Sequence, residues 1–424
     1  MPIFRSFAAL VLALFGLAAA VQKSVVAQLA VGRIVASKWP YFPGSVIPVR
    51  VDGFPAPYRV ALVGPGTLLD GGLYEVPSDA QPGVAALIAG NAHGLAERSV
   101  RIRMPPPSDR ELLVVVSYDE GVVFHDAANF AVIGLLGTGG FPSDAAVDVS
   151  GRIAITDTQG SMLTIATLAP WNVAHVSDVP LGDEVAIDTA TRAIFVTNRD
   201  VNGRGALTRV TEDGKTVQTI TGQTAEGLAI DTRRGLVYVA NVNDGTIAAV
   251  DVRSMRVVRH IPAVARIFSL ALSPNGNTLY GISNQSAGSP FAAPGSAVAI
   301  ALDPHRPRVV ARSAHLAFPI GAALDPAGAT LYVTDESLDE IDVLDAHTLR
   351  ARRPPVRTCR TPWMPSLDAR SNRLYVPCAR ADLVDVLDVR TMRRVAGAPF
   401  ATGGYPLAVT VWRARPGANH SSGK

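Results

Sequence analysis

The chain has 424 residues, 48% of them hydrophobic and 18% charged, so it can bury a large core and is not a disordered polymer. Thirty-nine Lys and Arg against 36 Asp and Glu leave a formal charge of +3, which argues against the concentrated basic face of a nucleic-acid binder. The two cysteines form no Cys-x-x-Cys pair, which argues against thioredoxin-like redox work and c-type haem attachment.

In chain order, residues 1–20 (MPIFRSFAALVLALFGLAAA) place Arg5 before an apolar run from Phe7 to Leu17 and close on Ala18, Ala19 and Ala20. This is the three-part pattern of a secretory signal, cut after Ala20 or after Ala27. The alternative, a retained membrane anchor, needs about 20 apolar residues, more than this run supplies. The mature chain is therefore expected to be exported to a periplasmic or extracellular space, with no membrane span. Residues 28–104 carry short alternating stretches, SVIPVRVDGF, YRVALVGPG, GGLYEVP, GVAALIAGN and RSVRIRM, separated by Gly and Pro. They predict a small N-terminal β-sandwich, loosely immunoglobulin-like. Residues 105–109, PPPSD, form a stiff spacer.

From residue 110 to 413 the chain repeats itself. RIAITDTQGSMLTIATL, AIFVTNRDVNGRGALTRV, LVYVANVNDGTIAAVDV, TLYGISN, TLYVTDESLDEIDVLDA and RLYVPCARADLVDVLDV follow a weaker first copy, LLVVVSYDEGVVFHDA. Aligned on Val115, Ala154, Phe195, Tyr238, Tyr280, Tyr332 and Tyr375, the copies are 39, 41, 43, 42, 52 and 43 residues apart. A spacing near 42 is that of a four-stranded propeller blade, and the long interval holds an insertion, NQSAGSPFAAPGSAVAIAL. Each copy opens with a small-residue strand suited to a crowded central axis. An aromatic and β-branched strand then fills the gap between blades, and a charged strand forms the exposed edge. The first copy lacks its inner strand, and a spare one, YPLAVTVW at Tyr405–Trp412, follows the seventh copy. The expected fold is all-β: a seven-bladed β-propeller closed by the C-terminal strand, with residues 414–424 as a tail.

LYVTD at Leu331, VYVANVNDGTIAAVDV at Val237 and IFVTN at Ile194 resemble the YVTN β-propeller repeat, and residues 110–413 are similar to the exported members of that family. The resemblance implies the fold and leaves the function open, because the repeated residues are structural. The Asp or Asn closing the second strand (Asp157, Asn198, Asn241, Asp335) reads as a turn former bonded to nearby backbone, and Tyr118, Ser283 and Cys378 depart from it.

Cys359 enters the seventh copy and Cys378 sits at its turn, on connections that share one face of a propeller. A structural disulfide fits there, the alternative being two free thiols. Ser143, Asp183, Glu226, Phe268, Ile320, Trp363 and Leu407, then Asp144, Glu184, Gly227, Ser269, Gly321, Met364 and Ala408, precede the inner strands and should face the channel mouth. One side would be acidic (Asp144, Asp183, Glu184, Glu226) and the other apolar (Phe268, Ile320, Trp363, Met364). Such a mouth suits a cation with an apolar body or a divalent metal, and the alternative is an ordinary solvated rim. The eight His show no ligand spacing, and neither a nucleophile elbow nor a phosphate loop occurs. Arg-rich outer strands (RSMRVVRH, LRARRPPVR, RTMRR) read as solvated edges scattered over separate blades, so nucleic acid is not the expected partner.

The expectation is an exported, monomeric, non-enzymatic binding or scaffold protein for a protein or small-molecule ligand. No catalytic residue and no cofactor is assigned, a divalent cation being the only candidate. The alternative is a metal-assisted lactonase- or lyase-like propeller enzyme with carboxylate ligands at the channel, disfavoured by the lack of a nearby His or Arg ring to act as acid, base or oxyanion clamp.

Overall fold

The computed structural model describes residues 30–284 and 295–413. The expected secretory signal with both candidate cleavage positions, most of the insertion and the tail lie outside the described residues. The chain separates into two compact units, one reaching Met104 and one starting at Pro105. Its only helix among the described residues is a single 3-10 turn at Ala379–Ala381, and no helix is long and apolar enough to cross a membrane.

The first unit holds a five-stranded and a three-stranded sheet. The long hairpin of Gly83–Asn91 and Gly94–Ile102 is the centre of the larger one, and Leu87, Ile88, Val100, Phe42 and Tyr74 are buried in this unit. Ala30–Val35, which the alternation did not mark as a strand, pairs in parallel with the second arm of that hairpin.

The second unit is a succession of seven antiparallel sheets with four positions each in line, the last carrying one extra short strand, Phe400–Ala401. Stretches rich in Val, Ile and Tyr set the strands, and the third strand of each sheet pairs with the buried second one. The end of the supposed insertion, Ser296–Ala301, is itself such a third strand. Aromatic residues of the second strand fill the space to the next sheet as their bulk suggests. Phe195 packs with Val237 and Val250, Tyr238 with Ile267 and Leu279, Tyr280 with Leu331 and Val333, and Tyr332 with Leu374 and Val376. Each such side chain contributes about 1.5–3 kcal/mol by leaving water. Tyr375 of the last sheet packs against Leu113 and Val115 of the first.

The first sheet draws its inner strand from the C-terminal segment: Pro406–Trp412 pairs antiparallel with Leu112–Ser117. Just beyond it, Arg413 donates to Asp368 of the seventh sheet and, at 2.7 Å, to Glu111. Arg373 likewise donates across from the seventh sheet to the Ala127 carbonyl at 3.2 Å, as Arg152 does to the Arg192 carbonyl at 2.6 Å.

Register corrects one alignment. Pro406 pairs with Ser117 as Pro142 pairs with Asp157 and Gly182 with Asn198. Ser117, not Tyr118, is therefore the turn position of the first copy, and Val114, not Val115, matches Ala154. A weakly patterned valine run allows that slip of one residue.

Candidate site at the mouth of the inner strands

The turn residues fix local geometry as their chemistry dictates. Asp157 accepts from Phe141 N at 3.2 Å and Gly160 N at 3.0 Å, while Asp335 accepts from Ala317 N at 2.8 Å and Phe318 N at 3.0 Å. Asn198 donates to the Pro180 carbonyl at 2.6 Å, and Ser283 to that of Ala265 at 2.7 Å. At the seventh copy the same position is Cys378, which is bridged to Cys359 across 19 residues with 5.7 Å between their Cα atoms.

The residue after each turn position then makes one backbone bond seven times over. Tyr118, Thr158, Arg199, Val242, Asn284, Glu336 and Ala379 donate N–H to the carbonyls of Tyr405, Phe141, Leu181, Thr224, Arg266, Phe318 and Thr361, at 2.9–3.3 Å. In the first six sheets the innermost strand bulges just beyond that bond, and the expected mouth residues sit at the bulge. There they lie inside the strand rather than before it. In the seventh, Trp363 and Met364 take the matching place between the Pro362–Cys378 bridge and the strand that starts at Ser366.

A cavity of about 380 Å³ opens at these positions, lined by Asp144, Asp183, Glu184, Trp363, Met364 and Leu407. Tyr118, Thr158 and Arg199, from the position after the turn, complete it with Ser143 and Tyr405. Its acidic wall comes from the second and third sheets, and its apolar wall from the seventh and first. Phe268 and Ile320 do not reach it: Ile320 is 3% exposed, and the Phe268 ring lies 5.5 Å from the Arg266 guanidinium. Both belong to the fifth and sixth sheets. Glu226 is buried and joins the wall through Arg199.

The four carboxylates divide into two pairs. Asp144 accepts from Ala145 N at 2.8 Å and Val185 N at 3.0 Å, and Glu184 accepts from Leu228 N at 2.6 Å. Each thereby ties its sheet to the next. Asp183 and Glu226 instead face Arg199, whose Nε lies 3.5 Å from Asp183 Oδ2 and whose Nη2 lies 3.0 Å from Glu226 Oε1. Burial, with Asp183 nearby, pushes the Glu226 carboxyl up to about 8 against the pull of Arg199. Burial also raises Asp144 to about 6, raises Asp183, and, with the charges of Asp144 and Asp183, holds Glu184 well above the usual range. The Asp183 and Glu226 charges hold the Arg199 guanidinium firmly protonated. Among the described residues, no three His, Cys, Asp or Glu side chains are placed to hold a metal ion.

Arg199 answers the supposed lack of an arginine at the mouth. Counting one place past each turn residue would find it, together with Thr158 and Tyr118. Tyr118 packs 5.0 Å from Phe141 and 6.1 Å from Tyr405, ring centroid to centroid, and its hydroxyl accepts from Gln159 at 2.5 Å.

No protein-family model matches the chain, and no curated protein does. Solved structures do. A functionally unknown protein of Desulfotomaculum acetoxidans matches at TM-score 0.60 and 14% identity, over 72% of this chain and 99% of that one. A candidate 6-phosphogluconolactonase of Bacteroides uniformis matches at 0.57 and 13%, over 72% and 99%. The β-propeller domain of Cps50 (Swd1) from Myceliophteria thermophila matches at 0.54 and 11%, over 66% and 94%. At these identities the likeness establishes the fold, a β-propeller.

Proposed function

We propose that the mature protein is an exported, monomeric binding protein. In this reading it is a closed seven-bladed propeller of the YVTN type, and its mouth takes a small cationic ligand with an apolar body. Seven successive sheets, the C-terminal strand on the first of them, and the Tyr375 core shared by the last and first sheets support the closed ring. The disulfide accords with export.

One observation carries the ligand class: a cavity whose one wall is carboxylate and whose other is Trp363, Met364, Tyr405 and Leu407. Four carboxyl groups stand against the single Arg199, and burial favours their protonated forms, so an entering cation would ionise them and be held where a low dielectric strengthens the attraction. The facing Trp363 and Tyr405 suit an organic cation, since indole and phenol faces attract one in addition to excluding water. Because Glu226 keeps its proton until about pH 8, entry of a cation would expel that proton, and affinity should rise with pH through neutrality.

The test is calorimetry with 2-phenylethylamine and, as an uncharged control, 2-phenylethanol. Binding of the amine alone, lost in Asp183→Asn and weakened in Trp363→Ala, is expected. Equal binding of both compounds, or of neither, overturns the ligand class.

A second reading has its own observation. A carboxyl that is protonated near neutrality beside a guanidinium is the pairing of a general acid with an oxyanion clamp. The fold is shared with a candidate 6-phosphogluconolactonase, so a metal-assisted lactonase- or lyase-like activity is the rival function. A divalent-metal panel in thermal melting separates them: a rise that vanishes in Asp183→Asn and Glu226→Gln favours the enzyme.

A further inference from the structure

The fourth and fifth sheets of the second unit meet at a groove of about 330 Å³ on their outer side. Its floor is apolar: Leu236, Tyr238, Ala249, Ile261 and Leu302. In register, Tyr238 pairs with Ala249 and Ala249 with Arg259, so one face presents a phenol, a methyl and a guanidinium in line. The small Ala249 leaves the space that a larger side chain would fill. Val258 on the rim is 57% exposed.

The flanking strands are one-signed. Residues 252–262 carry Arg253, Arg256 and Arg259, and residues 304–315 carry Arg306, Arg308 and Arg312, with no Asp or Glu in either stretch. All six are exposed, and none makes a salt bridge among the described residues. The acid that lines the groove, Asp303, has its carboxylate engaged by the N–H groups of His305 and Arg306 at 2.8 Å each. Arg234, also in the lining, is committed to Asp231 at 2.6 Å. Of the arginine runs that read as solvated edges, RSMRVVRH thus flanks the apolar cleft, with Arg259 in its lining and Arg306, Arg308 and Arg312 on the other flanking stretch.

We infer that this groove docks an acidic, extended peptide segment of a partner protein, with an apolar side chain seated beside Leu236 and Val258 and carboxylates against the arginine rim. Charge complementarity selects the occupant. The exposed apolar residues of the rim, Val258, Val309 and Val310, amount to three valines, and displacement by vesicles tests for a membrane in the peptide's place. A single-stranded nucleic acid would need exposed ring faces, and Tyr238, the groove's aromatic, is 3% exposed. The inference is independent of the mouth.

The experiment is fluorescence anisotropy of the mature chain with a fluorescein-labelled peptide, Glu-Asp-Leu-Glu-Phe-Asp-Glu, and a matched peptide with Ser for Leu and Phe. Saturable binding of the first is expected. A loss of about tenfold or more is expected with the serine peptide and with each of Arg259→Glu and Val258→Glu. Both substituted residues are exposed, so folding is retained, and circular dichroism checks it; if Val258→Glu fails to fold, Arg259→Glu alone decides. No saturable binding, equal binding of the two peptides, or binding indifferent to Arg259→Glu overturns the inference. So does displacement by phosphatidylglycerol vesicles or a single-stranded oligonucleotide at lower concentration than by unlabelled peptide.

Discussion

Replacing Glu226 with Gln should stabilise the protein, and by an amount that grows with pH. In the unfolded chain a glutamate ionises near 4.5, whereas in the fold Glu226 holds its proton until about 8, chiefly because it is buried and Asp183 is near. Between those values the folded state binds more protons than the unfolded one, so this group's contribution to stability falls as pH rises through the window and levels off above it. The full penalty for the ionised carboxylate is at most about 5 kcal/mol, and at pH 5 it is about 1 kcal/mol. The amide introduced by Glu226→Gln cannot ionise and still offers Arg199 an acceptor oxygen in place of Glu226 Oε1. Chemical denaturation of both proteins at pH 5, 7 and 9 measures the difference, with titrating groups remote from Glu226 common to both. The variant should be nearly equal to the parent at pH 5 and clearly more stable at pH 9. A gap that stays constant or narrows with pH would refute the idea that Glu226 is held protonated by burial.

Two structural predictions accompany it. Deleting residues 406–424 removes the strand that covers Leu112–Ser117 and leaves that buried edge open, so soluble monomer should be lost; a monomeric truncation product with unchanged melting would refute ring closure. Reducing the bridge, or replacing Cys359 and Cys378 with Ser, should cost about 2–4 kcal/mol in chemical denaturation. Trp363 N donates to the Pro377 carbonyl at 2.8 Å beside that bridge, so reduction should also weaken amine binding at the mouth, and unchanged stability and affinity would contradict both claims.

Much of this molecule is legible in the sequence because repetition averages out local ambiguity. Most copies agree on a second strand ending in Asp, Asn or a small polar residue, and that agreement locates the bulges and their neighbours, where Asp144, Asp183, Glu184, Trp363 and Met364 line the cavity. The first copy misleads because LLVVVS offers no landmark inside its valine run, so Tyr118 reads as a turn residue when it lines the mouth. The position of Arg199, one past a turn residue, is readable from the repeat, but its contact with Glu226 on the next sheet is not, because no linear spacing records it. Phe268 and Ile320 show the converse. They share the register of the mouth residues, but burial of Ile320 and the Arg266 contact of Phe268 keep both out of the cavity. The groove between the fourth and fifth sheets depends on Ala249 being small between Tyr238 and Arg259, a cross-strand relation that becomes visible only once the strands are paired.

The central claim is that a positive charge belongs between the acidic and apolar walls of the mouth. Isothermal titration of 2-phenylethylamine at about pH 7 and about pH 8.5, in two buffers of different ionisation heat, tests it most directly. The account predicts saturable binding that is tighter at the higher pH, releases protons at the lower, and disappears in Asp183→Asn. Binding without proton release, or binding that survives Asp183→Asn unchanged, would contradict it.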